Sequence, residues 1–163
     1  MNRISKILTQ PTHKAAAQSM FYALGLKPKD MDKPQIGIGS VYYDSNPCNS
    51  KLYKLSNLVQ DSINKENMIG FKFNTVGVSD GISMGTEGMR YSLPSRELIA
   101  DSIETIAGAH YYDGLIFIPG CDKNLPASLM ALVRLNRPGF IIYGGAMAPN
   151  YYNKKKIRYS INI

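Results

Sequence analysis

The stretch Leu115-Ile116-Phe117-Ile118-Pro119-Gly120-Cys121-Asp122-Lys123-Asn124 decides the fold. Four apolar residues make a short buried strand, Pro119-Gly120 ends it, and a sulfur ligand, a carboxylate and an amine follow at once. In open α/β sheets the C-terminal edge of the strands is where ligands and catalytic groups gather. Two earlier segments repeat the arrangement: Gln35–Ser40 runs into Asn46-Pro47-Cys48-Asn49, and Phe71–Asn74 runs into Val78-Ser79-Asp80-Gly81. Three strand ends thus deliver two cysteines, two aspartates and a lysine toward one rim, which reads as a metal site. Thiolates suit iron–sulfur or zinc, and carboxylates suit magnesium.

Helices fall between these strands. Thr12 is placed to cap a helix over 13–24, with Gly25 as its stop. Leu52, Leu55, Val59 and Ile63 recur at helical spacing and predict an amphipathic helix over 49–66. Val76–Tyr91, rich in glycine and polar residues, reads as a long loop, functional or disordered. Pro94 fits the first turn of a helix capped by Ser92 or Ser95, whose buried face carries Leu98, Ile99, Ser102, Ile103, Ile106 and Ala107. A further helix over 126–135 leads to a strand over 140–143 and Gly144-Gly145. The order β-α-β-α-β-α-β predicts an α/β fold with a mainly parallel sheet and right-handed crossover helices.

The net charge of +7 resembles a nucleic-acid signal until it is located. Lys154, Lys155, Lys156 and Arg158 supply four of those charges within a tail, 151–163, that contains no acid. No basic face with interleaved aromatics accompanies it, so neither nucleic acid nor a membrane surface is an expected partner. No apolar run is long enough to span a bilayer, and the N-terminus lacks a signal-peptide core. Two cysteines make no disulfide framework, which points to a reducing compartment. Cytoplasm is the expectation; an N-terminus without acids before Asp30 keeps a mitochondrial address as the alternative.

Each motif also has a plainer reading: Cys48 as a small buried hydrophobe, Asp80-Gly81 as a turn pair, Lys123-Asn124 as an ordinary polar loop. Their joint placement favours the site. Gly37-Ile38-Gly39-Ser40-Val41-Tyr42 puts tyrosine where a dinucleotide fingerprint needs its third glycine, and no phosphate-binding Gly-Lys-Ser/Thr occurs. His13 and His110 stand too far apart for a histidine zinc motif, and His110 suits a helix C-terminus. Arg90 and Arg96 could clamp a carboxylate, although Arg96 beside Glu97 also reads as a surface pair.

Residues 73–102, with Thr75-Val76-Gly77-Val78-Ser79-Asp80-Gly81, Thr86-Glu87-Gly88-Met89-Arg90-Tyr91 and Leu93-Pro94-Ser95-Arg96-Glu97, closely resemble the dihydroxy-acid dehydratases of the dihydroxy-acid/6-phosphogluconate dehydratase family. So do Asn46-Pro47-Cys48-Asn49, Gly120-Cys121-Asp122-Lys123-Asn124 and the segment from Asn136-Arg137-Pro138 to Gly145. The likeness runs from about Asn2 to Pro149. Its start near residue 2 speaks against an added transit peptide.

The resemblance implies that Cys48 and Cys121 are ligands of an iron–sulfur cluster, 2Fe–2S or 4Fe–4S. It implies that Asp80 and Asp122 bind Mg2+, joined by Lys123 once carboxylation has turned its amine into an oxygen donor. The implied reaction takes water from the small dihydroxy acid 2,3-dihydroxy-3-methylbutanoate, giving 3-methyl-2-oxobutanoate in valine and isoleucine biosynthesis. Magnesium would hold the carboxylate and the 2-hydroxyl, and the cluster's open iron would assist departure of the 3-hydroxyl. Sugar-acid dehydratases of the same family share the Cys-Asp-Lys element and are the runner-up. Family members are homodimeric and much longer than this chain. Their third cluster cysteine, a magnesium-binding glutamate and the catalytic serine base belong to segments with no counterpart here. Residues 1–150 are therefore read as the N-terminal part of a dehydratase domain, and 151–163 as a basic non-family tail. The expectation is an incomplete domain: a truncated reading frame, a non-catalytic remnant, or one piece of a split enzyme with a complementing C-terminal chain. A sheet cut short should expose apolar surface.

Overall fold

A computed structural model describes residues 2–147, 149–152 and 155–157. In chain order, a short helix α1 (Lys6–Thr9) precedes α2 (Ala15–Ala23), β1 (Gln35–Ser40), α3 (Leu52–Lys65), β2 (Ile69–Asn74) and the single turn α4 (Asp80–Ser83). Then come α5 (Ser95–Ala109), β3 (Gly114–Ile118), α6 (Asn124–Leu135), β4 (Gly139–Ile141), β5 (Asn150–Tyr152) and β6 (Lys155–Ile157). The first four strands form one all-parallel sheet in the order β2-β1-β3-β4. The α/β expectation holds, with β1 and β3 central.

Alternation along β3 builds two cores, because successive side chains of a strand point to opposite faces. Ile116 and Ile118 join Ile38 and the buried face of α3 (Leu52, Val59, Ile63). Leu115 and Phe117 pack on the other face against Ile99, Ile103 and Ala107 of α5 and Ala127 and Ala131 of α6. Gly39 in β1 is required there: a Cβ at this position would stand 2.7 Å from the Phe117 ring.

Several local expectations are corrected. The first long helix begins as a 3-10 turn (Thr12–Lys14), so Thr12 caps nothing, while Gly25 does end it at φ +90°. Residues 49–51 are not helical, because Asn49 is buried among the loops of the rim. The long loop holds the turn α4 and a 3-10 turn (Glu87–Tyr91) capped by Thr86, whose hydroxyl accepts the Gly88 N–H at 3.1 Å. Neither Ser92 nor Ser95 caps α5, since the Ser92 hydroxyl donates to Asp80 instead. His110 does end α5, and its ring lies 5.6 Å from that of Tyr112. Within the tail 151–163, β5 and β6 pair antiparallel; residues 153, 154 and 158–163 lie outside the described residues. Leu98, expected on the buried face of α5, is instead exposed, as are Leu93, Phe140 and, one turn apart on α6, Leu129 and Val133.

One carboxylate ties the N-terminus to the sheet. Asp113 accepts the backbone N–H groups of Arg3, Ile4 and Ser5 at 2.8, 2.5 and 3.1 Å, the Ser5 hydroxyl at 2.5 Å and the Gln35 N–H at 2.9 Å. Burial works to raise its pKa, but the Ser5 hydroxyl and these backbone donors outweigh burial and hold it below the ordinary carboxylate range. A depressed native pKa contributes stability above the unfolded value near 4, and that contribution is lost as pH falls through the native value. Asp113→Ala is expected to cost about 3 kcal/mol in urea unfolding at neutral pH. Asp113→Asn should flatten the loss of stability below about pH 4; an unchanged acid limb would show that other groups set it.

Candidate metal centre

The register of the sheet assembles the site. Ser40 pairs with Asn74 of β2 and with Ile118 of β3, so three parallel strands end at one level. The loops that follow carry Cys48, Asp80 and the Cys121-Asp122-Lys123 run, and all five residues line a single cavity of about 370 Å³. Ser79, Gly120, Tyr143 and Met147 complete parts of its wall.

Lys123 is the deepest of the charged groups, with a side chain 4% exposed against 29% for Asp80 and 85% for Asp122. Its Nζ donates to Asp80 Oδ1 at 2.6 Å and to the Val78 carbonyl at 3.3 Å, and lies 3.5 Å from Asp122 Oδ1. Burial works to lower the Lys123 pKa, but the Asp80 hydrogen bond and charge prevail and raise it. Burial likewise works to raise Asp80, while Lys123 and then Ser92 pull it below the usual range. The ammonium therefore serves as the positive charge that Asp80 requires.

The cysteines form the other half. Both are reduced and partly buried. Burial first, and the nearby Cys121 sulfur second, push the Cys48 thiol up. A metal needs the thiolate, so a metal held here would release a proton and bind more tightly as pH rises. Asparagines frame the pair. Asn46 Oδ1 accepts the Cys48 N–H at 3.1 Å, and Asn124 Oδ1 accepts the N–H groups of Gly120 and Cys121 at 2.9 and 2.7 Å. These asparagines and Ser92 are site residues that motif reading passed over. The signal was available: each cysteine has an asparagine two residues before it or three after it.

The donor set fits a soft centre beside a hard one: two sulfurs for iron, and carboxylate oxygens for magnesium. Among the described residues, no three His, Cys, Asp or Glu side chains gather closely enough to hold an ion by themselves. Arg90 and Arg96 stay outside the cavity, paired with Glu87 at 2.9 Å and Glu97 at 3.2 Å on the surface. Among the described residues, no helix is long and apolar enough to cross a membrane.

Fold and rim together define an α/β protein whose parallel sheet presents a mixed thiol and carboxylate centre at its C-terminal edge. Residues 33–162 match the family model described as dihydroxy-acid/6-phosphogluconate dehydratase N-terminal, and the chain belongs to that family. It is 59% identical over 157 residues to a dihydroxy-acid dehydratase of Francisella tularensis subsp. novicida, covering 96% of this chain and 28% of that protein. A dihydroxy-acid dehydratase of Aspergillus fumigatus, whose name marks it as mitochondrial, is 57% identical over 149 residues, 91% of this chain and 25% of that protein. A Cytophaga hutchinsonii dihydroxy-acid dehydratase is 54% identical over 157 residues. The chain thus spans about a quarter of the length of these curated relatives.

The buried pair is asymmetric, and mutation should show it. Asp80→Ala leaves the buried ammonium only the Val78 carbonyl and the more distant, exposed Asp122, and is expected to cost about 2 kcal/mol in the metal-free chain. Lys123→Met leaves a carboxylate that keeps Ser92 and solvent, and should cost less. Urea unfolding of both variants checks the order; the reverse order would mean that Asp80 is not what stabilises Lys123.

Proposed function

We propose that this chain is the N-terminal portion of a dihydroxy-acid dehydratase, a hydro-lyase that converts 2,3-dihydroxy-3-methylbutanoate to 3-methyl-2-oxobutanoate and water in branched-chain amino-acid biosynthesis. The observation that carries this reading is the meeting of Cys48 and Cys121 with Asp80, Asp122 and Lys123 in one cavity. Cys48 and Cys121 would hold part of an iron–sulfur cluster, and Asp80, Asp122 and carboxylated Lys123 would hold Mg2+. When bound, these groups supply Lewis acidity for a departing hydroxyl and for the substrate carboxylate.

The chain's own residues prepare that chemistry. Lys123 carries a positive charge between Asp80 and Asp122; carboxylation would replace it with an anion, placing three negative groups together. Such a cluster is tolerable only with a divalent cation among them, so carboxylation and magnesium binding are linked. Asn46 and Asn124 hold the backbone N–H of each cysteine and fix where the sulfurs point.

The names of the relatives favour the dihydroxy-acid substrate over the sugar acids of the runner-up reading. A third cluster cysteine would come from the remainder of the family fold, on a complementing chain if the enzyme is split, and the exposed leucines of α5 and α6 suit such a partner or a second subunit. Cytoplasm is the proposed compartment, and the mitochondrial label of the Aspergillus relative keeps the matrix as the alternative.

Iron and sulfide analysis of anaerobically purified chain, with dehydration of 2,3-dihydroxy-3-methylbutanoate assayed on the same sample, tests the proposal. Stoichiometric cluster and turnover on addition of a polypeptide carrying the remainder of the family fold, and not in the chain alone, is the expected result, lost on Cys48→Ser or Cys121→Ser. Neither cluster nor turnover under both conditions would leave a non-catalytic remnant.

A further inference from the structure

The asparagines around Cys121 do more than shape loops. The amide of Asn46 has one permitted orientation: its Oδ1 accepts the Cys48 N–H, a group that can only donate. Its Nδ2 is therefore the end that meets Cys121 Sγ, at 3.7 Å. The same sulfur also meets Asn49, fully buried at 0% exposure. Asn49 presents its Oδ1 to Cys121 Sγ at 3.9 Å, with the thiol as donor, while its buried Nδ2 has no hydrogen-bond partner. Burying an amide N–H without an acceptor is unfavourable, and an apolar side chain of the same shape would avoid it. Asn49 also occupies space that neighbouring glycines leave open: a Cβ on Gly120 would stand 2.2 Å from its Oδ1, and one on Gly77 would stand 3.3 Å from its Nδ2.

Such a residue is poorly explained by the metal-free fold and well explained by a sulfur that has lost its proton. A metal-bound cysteine sulfur is a thiolate, which only accepts. The two ends of an asparagine amide are nearly identical in shape, so exchanging them needs little room. We propose that the Asn49 amide turns over when Cys121 binds a metal, so that Asn46 and Asn49 each donate an N–H to that sulfur. Both are positioning residues: they act through the ligand, holding its sulfur in place. This inference rests on the reading of Cys121 as a metal-binding thiolate.

Cadmium ion is the probe, because its thiolate charge-transfer absorption reports sulfur ligation directly. Binding isotherms would be recorded for the unsubstituted chain, Asn49→Leu and Asn49→Ala, alongside thermal unfolding of each without metal. The expected result is cadmium affinity weakened roughly tenfold in both variants, with metal-free stability unchanged or raised in Asn49→Leu. Asn49→Ala serves as the second variant, since it makes no demand on space. If the unsubstituted chain gives no thiolate absorption, the ligand reading fails and this inference with it. Normal absorption with affinities unchanged in both variants overturns the inference alone. Weakened binding that tracks a loss of metal-free stability in both variants also overturns it, by reducing Asn49 to a packing residue.

Discussion

Ser40 pairs with Asn74 on one side and Ile118 on the other, and parallel strands share a direction, so three chains leave the sheet at the same level. This level register governs the rest of the molecule. Helices α3, α5 and α6 cover the two faces, which leaves the C-terminal edge as the place where irregular backbone can gather. Loops at such an edge are held by the rigid sheet beneath them, so side chains from residues 48, 80 and 121 meet despite their separation in sequence.

The rim carries two kinds of unmet demand. On the hard side, Asp80 needs a positive charge, and the buried Lys123 ammonium supplies it. On the soft side, two thiols lie close enough that ionising one disfavours ionising the other. In the proposed reading both arrangements would become ligand sets once a cation is introduced. A pocket of ordinary loop residues would have no reason to hold a buried cation and an unpaired amide nitrogen beside reduced sulfurs.

Much of this was legible from the chain. The apolar run 115–118 marks the central strand, the spacing of Leu52, Val59 and Ile63 marks the buried face of α3, and the strand ends alone bring Cys48, Asp80, Cys121, Asp122 and Lys123 to one rim, where they line one cavity. What escaped were choices decided by tertiary partners. Ser92 is positioned as a helix cap by local rules, yet its hydroxyl goes to Asp80, a stronger acceptor brought near by the fold. Asn49 looks like the first residue of a helix, and is withdrawn from it to sit between two loops. Nothing local marks Asp113; its five donors, four of them from the first residues of the chain, appear only when those residues and Gln35 meet the start of β3.

That last contact bears on how the chain is made. Asp113 lies 110 residues from Arg3, so the opening segment emerges from the ribosome long before its anchor exists. Cys48 likewise precedes Cys121, and Asn46 waits 75 residues for the sulfur it will meet. The central pairing of β1 with β3 is delayed in the same way, because β2 and α5 are synthesised between them. During vectorial synthesis β1 therefore waits for its second neighbour, and Cys121 can reach Cys48 only after β3 has been made.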